Sequence, residues 1–287
     1  MPNFSTLLTK DNITAVAIGH FDGIHRGHKQ LLKRLGQYGG LVIIDKNKAN
    51  ITPKLKRAEY SSYPCFLYDF ESIKGLSGEE FIALLKRDFK NLKKIVVGFD
   101  FRFGRNRAWD KRDLMRIFDG EVDVVDEYCF NEMGVHSSTI REYIKDGKIA
   151  HANALLGREY SIEGDVVKGQ GIGAKELVPT LNLRIQSYLL PKAGVYATRT
   201  RIGYKTYGSV TFVGNRVSTD GAFSVETHII GEEVHPSAER IAVCFVKALR
   251  ENKKFNSLAE LKEQIKKDIE QAKQFSGVCE LFLMSQK

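Results

Sequence analysis

The chain has 287 residues, of which 43% are hydrophobic and 28% charged, with only six prolines. That length suits two domains, each with its own core, and the composition excludes disordered, collagen-like and coiled-coil classes. A net charge of +9 from 44 Lys and Arg against 35 Asp and Glu is scattered in short clusters, which fits anionic small molecules better than nucleic acid.

No apolar run approaches the roughly 20 residues of a membrane helix, so no membrane partner is expected. Lys10 and Asp11 interrupt the run that a signal peptide would need. Cys65, Cys129, Cys244 and Cys279 are too widely spaced for a zinc site and read as reduced thiols. A cytoplasmic location follows as the expectation. Oligomeric state is not legible.

In chain order, Ile13–Ile18 reads as a strand ending at Gly19, and a helical pattern runs from His25 to Leu35. Leu41–Ile44 is a second strand. Ser77 and Glu80 form a capping box for a helix over 79–89, with Phe81, Leu84 and Leu85 as its apolar face. Ile95–Val97 and Val122–Val125 supply a third and fourth strand. Thr139 and Glu142 predict another capped helix, closed by Gly147, and a short one follows at His151–Leu156. Alternating strands and helices predict a parallel sheet with ligands at its carboxyl ends.

After Gly157 the texture changes to short strands: Tyr160–Val167, Gly194–Arg201, Tyr207–Val213, Phe223–Ile230 and Ile241–Val246. These predict a small antiparallel barrel. Ser257 and Glu260 cap a closing amphipathic helix whose stripe is Leu258, Leu261, Ile265, Ile269 and Ala272. The expected domains are therefore 1–158, α/β, and 159–287, mainly β with a C-terminal helix.

The sharpest motif is Gly19-His-Phe-Asp-Gly-Ile-His-Arg-Gly-His28, at a strand–helix junction. Gly19, Gly23 and Gly27 let the main chain turn and approach a ligand, and His25 and His28 can donate to phosphate oxygens. Ser137-Ser-Thr-Ile-Arg141 opens a later helix with two hydroxyls and a guanidinium, a set suited to polyphosphate. Between them, Val96-Val-Gly-Phe-Asp-Phe-Arg-Phe-Gly104 offers alternating rings that either pack in the core or stack a flat ligand, with Asp100 or Arg102 near it.

The first motif resembles the HxGH nucleotidyltransferases. Over nearly its whole length, the chain resembles the bacterial bifunctional riboflavin kinase/FAD synthetase (FMN adenylyltransferase) family. The resemblance rests on GxFDGxHxGH, VVGxDFRFG and SSTxIR in order, then Leu155–Gly169, Pro179-Thr-Leu-Asn182, Gly194-Val-Tyr-Ala197 and Val225-Glu-Thr-His228. It implies a Rossmann-like N-terminal domain that adenylylates FMN to FAD, releasing pyrophosphate, and a flavokinase barrel that phosphorylates riboflavin to FMN. ATP would be the co-substrate of both, with Mg²⁺.

By that resemblance His25, His28 and Arg141 would be catalytic, and Gly19, Phe21, Asp22, Gly23, Gly27, Ser137 and Ser138 would bind nucleotide or phosphate. Asp100, Phe101, Phe103 and Arg250 would meet flavin. Thr180 and Asn182 would hold the metal, Glu226 would be the general base, and Gly169, Gly171 and Gly173 would form a loop over the phosphates.

The chain departs from the family pattern in several places. Phe-x-Pro-His-Pro is replaced by Ile44-Asp-Lys-Asn-Lys48, His20 stands for the usual Asn, and Trp109 for a glycine. In the second half, Phe212–Ser218 replaces Asn-x-Gly-x-x-Pro-Thr, His235–Ala238 replaces Asp-Leu-Tyr-Gly, and Leu249–Asn252 displaces the acid of LRxE. Three alternatives therefore stay open: retention of one activity only, a different HxGH nucleotidyltransferase, or a non-enzymatic flavin- or RNA-binding descendant.

Overall fold

The computed structural model describes residues 9–168, 178–218, 221–232, 234 and 240–275. The chain divides into two compact units, Met1–Ser137 and Ser138–Lys287.

The first unit is built on a parallel sheet of β1 (Ala15–Gly19), β2 (Gly39–Asp45), β3 (Cys65–Asp69), β4 (Lys94–Gly98) and β7 (Glu121–Val125), in the order β3-β2-β1-β4-β7. Its central strands are apolar on both faces. Ala15 and Ala17 join one core with Leu41, Ile43 and Val96, whereas Val16 and Ile18 join another with Val42, Ile95 and Val97. Such two-sided burial is why these segments read as continuous apolar runs. Helices α1 (Arg26–Leu32), α2 (Lys56–Ser61), α3 (Phe70–Ile73), α4 (Gly78–Asp88) and α5 (Lys111–Ile117) complete the unit with two short ribbons, β5 (Arg102–Phe103) with β6 (Trp109–Asp110) and β8 (Cys129–Phe130) with β9 (Met133–Gly134).

The capping box of α4 is present. Glu80 N–H donates to Ser77 Oγ at 3.2 Å, and Ser77 N–H donates to the Glu80 carboxylate at 2.7 Å. Its buried face is Phe81, Ile82 and Leu85 rather than one centred on Leu84. The sheet has a fifth strand, β3, that the sequence reading missed. Its Cys-Phe-Leu-Tyr-Asp run has no β-branched residue and lies at the sheet edge, where burial supplies little pattern.

In the second unit, α6 (Ser137–Lys145) opens two residues before the Thr139 expected to cap it, and α7 (Ile149–Leu156) packs on the barrel strands β10 and β15. The barrel is closed and antiparallel, in the order β10 (Tyr160–Val167), β11 (Leu181–Ile185), β14 (Phe223–Ile229), β13 (Lys205–Asn215), β12 (Gly194–Ile202) and β15 (Arg240–Glu251). Helix α8 (Leu258–Lys273) lies outside, where Ile269 and Ala272 meet Val195, Ala197 and Val210. The sequence reading missed β11. Compactness groups α6 and α7 with the barrel, whereas the change of periodicity falls at residue 158.

The barrel interior holds a closed ring of five hydroxyls. Thr198 contacts Ser209 at 2.7 Å and Thr211 at 2.8 Å, Ser209 contacts Thr200 at 2.8 Å, Thr200 contacts Thr227 at 3.3 Å, and Thr227 contacts Thr211 at 2.6 Å. None of the five is more than 2% exposed. Each can donate once and accept once, which satisfies groups that would be costly to bury alone.

Candidate active sites

A cavity of about 430 Å³ opens at the carboxyl ends of the parallel sheet. Gly19 of β1, Ile44 of β2, Gly98 of β4 and Val125 of β7 all line it. This is where the strand order reverses between β1 and β4, the crevice in which open α/β sheets take their ligands.

The turn after β1 is strained and held. Phe21, Gly23 and Ile24 have φ of +51°, +96° and +40°, a conformation that costs on the order of 1–3 kcal/mol at each non-glycine residue. Asp22 supplies the restraint. Its buried carboxylate accepts from the N–H groups of Asn50 at 3.2 Å, Ile51 at 3.1 Å and Thr52 at 2.8 Å, and from the Thr52 hydroxyl at 3.3 Å. Gly23 N–H donates to Thr52 Oγ1 at 2.7 Å, and Ser137 Oγ donates to the Asp22 carbonyl at 2.6 Å. Asp22 and Gly23 thus lie behind the cavity.

His25 caps α1 with its own ring: Nδ1 accepts from His28 N–H at 3.2 Å, and the two imidazoles stack at 3.6 Å between centroids. An accepting Nδ1 places the proton of a neutral ring on Nε2, so His25 presents a donor without carrying charge. The helix end is a weaker anion site than the sequence suggests, because His25 already occupies one of its N–H groups.

His20 has the opposite tautomer. Its Nδ1 lies 2.7 Å from the carbonyl oxygen of Ile44, which can only accept, so Nδ1 carries the proton and Nε2 a lone pair. His20 is exposed at the rim, but the protein packed around its ring keeps its pKa below the ordinary imidazole value, against the raising effect of the Ile44 bond, and Lys46, Arg57 and Arg107 add repulsion.

Phe99, Asp100, Phe101 and Phe103 all line the cavity. Phe101 and Phe103 stack at 5.3 Å, and Phe103 reaches Trp109 at 6.2 Å. Trp109 fills the space over two glycines; a Cβ on Gly78 would lie 2.2 Å from the indole. Phe103 is thus core, while Phe99 stands half-open at the rim.

The cavity therefore brings together Gly19, Phe21, His25, Gly27, His28, Asp100, Phe101, Phe103 and Ser137. Ser138 and Arg141 stand on α6, which belongs to the second unit from Ser138 on. Lys46, Lys74, Arg107 and the pair formed by His136 Nε2 and Glu127 Oε1, 2.7 Å apart, also line it. Lys46 falls in the segment that departs from the family pattern, whereas nothing in the local sequence marks the others.

On the barrel, Asn182 of β11 is the register partner of Glu226 on β14, so both project to one side. Thr180, two residues before Asn182, donates from Oγ1 to Glu226 Oε2 at 3.5 Å. Arg216 Nη1 donates to the other carboxylate oxygen at 3.3 Å, a contact the sequence reading missed. Among the described residues no group of three or more His, Cys, Asp or Glu could hold a metal alone. A threonine hydroxyl and an asparagine amide are neutral hard donors, and they fit Mg²⁺ that takes its remaining ligands from water and substrate phosphates.

Arg250 is turned to α8, its Nε 3.0 Å from both Asp268 oxygens and its Nη2 at 2.9 Å. Gly169, Gly171, Gly173 and the His235–Ala238 segment lie outside the described residues.

Comparison with known proteins agrees across most of the chain. Residues 156–276 match the riboflavin kinase family, and residues 8–40 and 45–139 match the FAD synthetase family. A Buchnera aphidicola protein named bifunctional riboflavin kinase/FMN adenylyltransferase is 30% identical, over 91% of this chain and 94% of its own. An Escherichia coli protein of the same name is 28% identical, over 92% and 93%. A Streptococcus pneumoniae crystal structure described as a macrolide-efflux protein matches with a TM-score of 0.82 at 28% identity, over 91% and 94%.

Proposed function

Because the chain belongs to the bifunctional riboflavin kinase/FMN adenylyltransferase family, we propose how its residues divide two reactions. The enzyme phosphorylates riboflavin to FMN with ATP, and joins FMN to the adenylyl group of ATP with release of pyrophosphate. We assign adenylyl transfer to residues 1–158 and the kinase to 159–287.

In adenylyl transfer an FMN phosphate oxygen attacks the α-phosphorus of ATP, and the bond to the bridging oxygen breaks as pyrophosphate departs. His25 Nε2–H and the His28 ring stabilise charge on the equatorial oxygens, with Ser138 and Arg141 on the departing phosphates. Ser137 has its proton committed to the Asp22 carbonyl, so it acts by holding the turn. Phe99 and Phe101 give a flat flavin ring a stacking wall, and Asp100 offers its polar edge an acceptor.

In phosphorylation the 5′-hydroxyl of riboflavin gives its proton to the Glu226 carboxylate while its oxygen attacks the γ-phosphorus, and ADP leaves. Thr180 and Asn182 hold phosphate oxygens and would hold Mg²⁺, which when bound neutralises charge on the transferring group. A cytoplasmic location belongs to the same reading, supported by ATP as shared co-substrate. Efflux is said of the pneumococcal protein alone; among the described residues here no helix is long and apolar enough to cross a membrane.

The observation that carries the reading is one cavity at the sheet's carboxyl ends, faced by both the stacked imidazoles and the phenylalanine segment. The test supplies ATP and Mg²⁺ with riboflavin in one reaction and FMN in another, and separates the flavins chromatographically. FMN then FAD from riboflavin, and FAD from FMN, is the expected result. FAD from supplied FMN alone would overturn the kinase half, and FMN without FAD the other half.

A further inference from the structure

His20 leaves β1 at the mouth of the cavity, and both its ring and its main chain are fixed. Ile44 O takes the Nδ1 proton at 2.7 Å, and Arg57 Nη1 donates to the His20 carbonyl at 3.0 Å. Arg57 is itself buried and held by Asp45 at 3.0 Å and the Lys54 carbonyl at 3.0 Å. The ring therefore cannot turn without breaking its contact to β2, and its far nitrogen, Nε2, offers a lone pair. The charged groups acting on it are Lys46 beyond β2, Arg57 on α2 and Arg107 beyond β5, with Asp45 offsetting Arg57. Lys74 and Arg102 line the same cavity, as do the carboxylates of Asp100, Asp126 and Glu127, the last of them paired with His136. This surrounding favours an uncharged ring while the cavity is empty. A phosphate dianion among the same cations reverses the balance, because a lone pair facing an anion is repulsive and an N–H facing it is attractive.

We propose that His20 is a proton-accepting phosphate ligand: its Nε2 takes a proton from solvent as a phosphate-bearing substrate enters, converts from acceptor to donor, and returns the proton when the product leaves. The inference rests on reading this cavity as the adenylyl-transfer centre. Linkage fixes the sign. A group more basic when loaded than when empty binds ligand more tightly as pH falls from its loaded towards its empty pKa. The lower edge of that window is set by the phosphate itself, whose second pKa is about 6. The phosphate could belong to FMN or to ATP, and the two are titrated separately.

The experiment is titration calorimetry of the full chain and of His20→Asn at about pH 7.5, in buffers of different ionisation enthalpy, with FMN, with ATP and with riboflavin. The wild-type chain should take up more protons than His20→Asn with FMN or with ATP, the arm that differs identifying the source, and the two proteins should agree with riboflavin. The KM for that source in FAD formation should rise about tenfold, the worth of one charge-assisted hydrogen bond. If Asn at this position impairs folding, His20→Gln serves in its place. Equal proton uptake by wild type and a folded variant would overturn the role of His20 alone. Retention of FAD formation by His28→Ala would instead overturn the assignment of the cavity, and the inference with it.

Discussion

Asp22 is 2% exposed and holds three main-chain N–H groups and a hydroxyl from a loop about thirty positions away. Replacing it with Asn would aim an amide NH₂ at donors that need an acceptor. We expect a loss of about 2–4 kcal/mol, read by urea unfolding of the first unit, with FAD formation reduced through the freed turn. Unchanged stability would show that the loop does not depend on the carboxylate. The motif made Asp22 visible in the sequence, but only as a phosphate-binding residue. Its partners are backbone amides, which leave no signature in residue identity. A different limit hid Arg216: its partner is a side chain, Glu226, but the two come close only when β13 and β14 pair.

Arg250 and Asp268 join β15 to α8 through a bidentate pair whose acidic side chain is 3% exposed. Removing one partner strands the other in a poorly solvated place. Asp268→Ala should therefore cost about 3–5 kcal/mol, measured by denaturant unfolding followed through the barrel. A riboflavin KM that rose with no loss of stability would mean that Arg250 acts on flavin instead. At this scale the sequence was most legible where periodicity and capping agree: β10 falls on its expected residues, and Ser257 caps α8. The Thr139 box failed because the helix already begins at Ser137, and α5 was missed because its box pairs Asp110 with Asp113 rather than Ser or Thr with Glu. Strand β11 is five residues long and only partly buried, so its alternation is weak.

The whole molecule holds two compact units with separate cores, and the two chemistries can be separated in one chain. Glu226→Gln should abolish FMN formation and leave FAD formation from supplied FMN, whereas His28→Ala should stop at FMN. Mixed together, the two variants should again carry riboflavin through to FAD, since FMN released by one can be used by the other. If the mixture makes none while each variant keeps its remaining activity, the FMN made by His28→Ala is not released to solution. The hydroxyl ring inside the barrel has a consequence for how such a core can change over generations. A ring has no end from which to be dismantled: turning any one of Thr198, Thr200, Ser209, Thr211 or Thr227 into its hydrocarbon counterpart leaves a neighbour's proton with nowhere to go. The five positions are thus energetically coupled. An apolar interior is reached by replacing them together, and the single-substitution steps between run uphill.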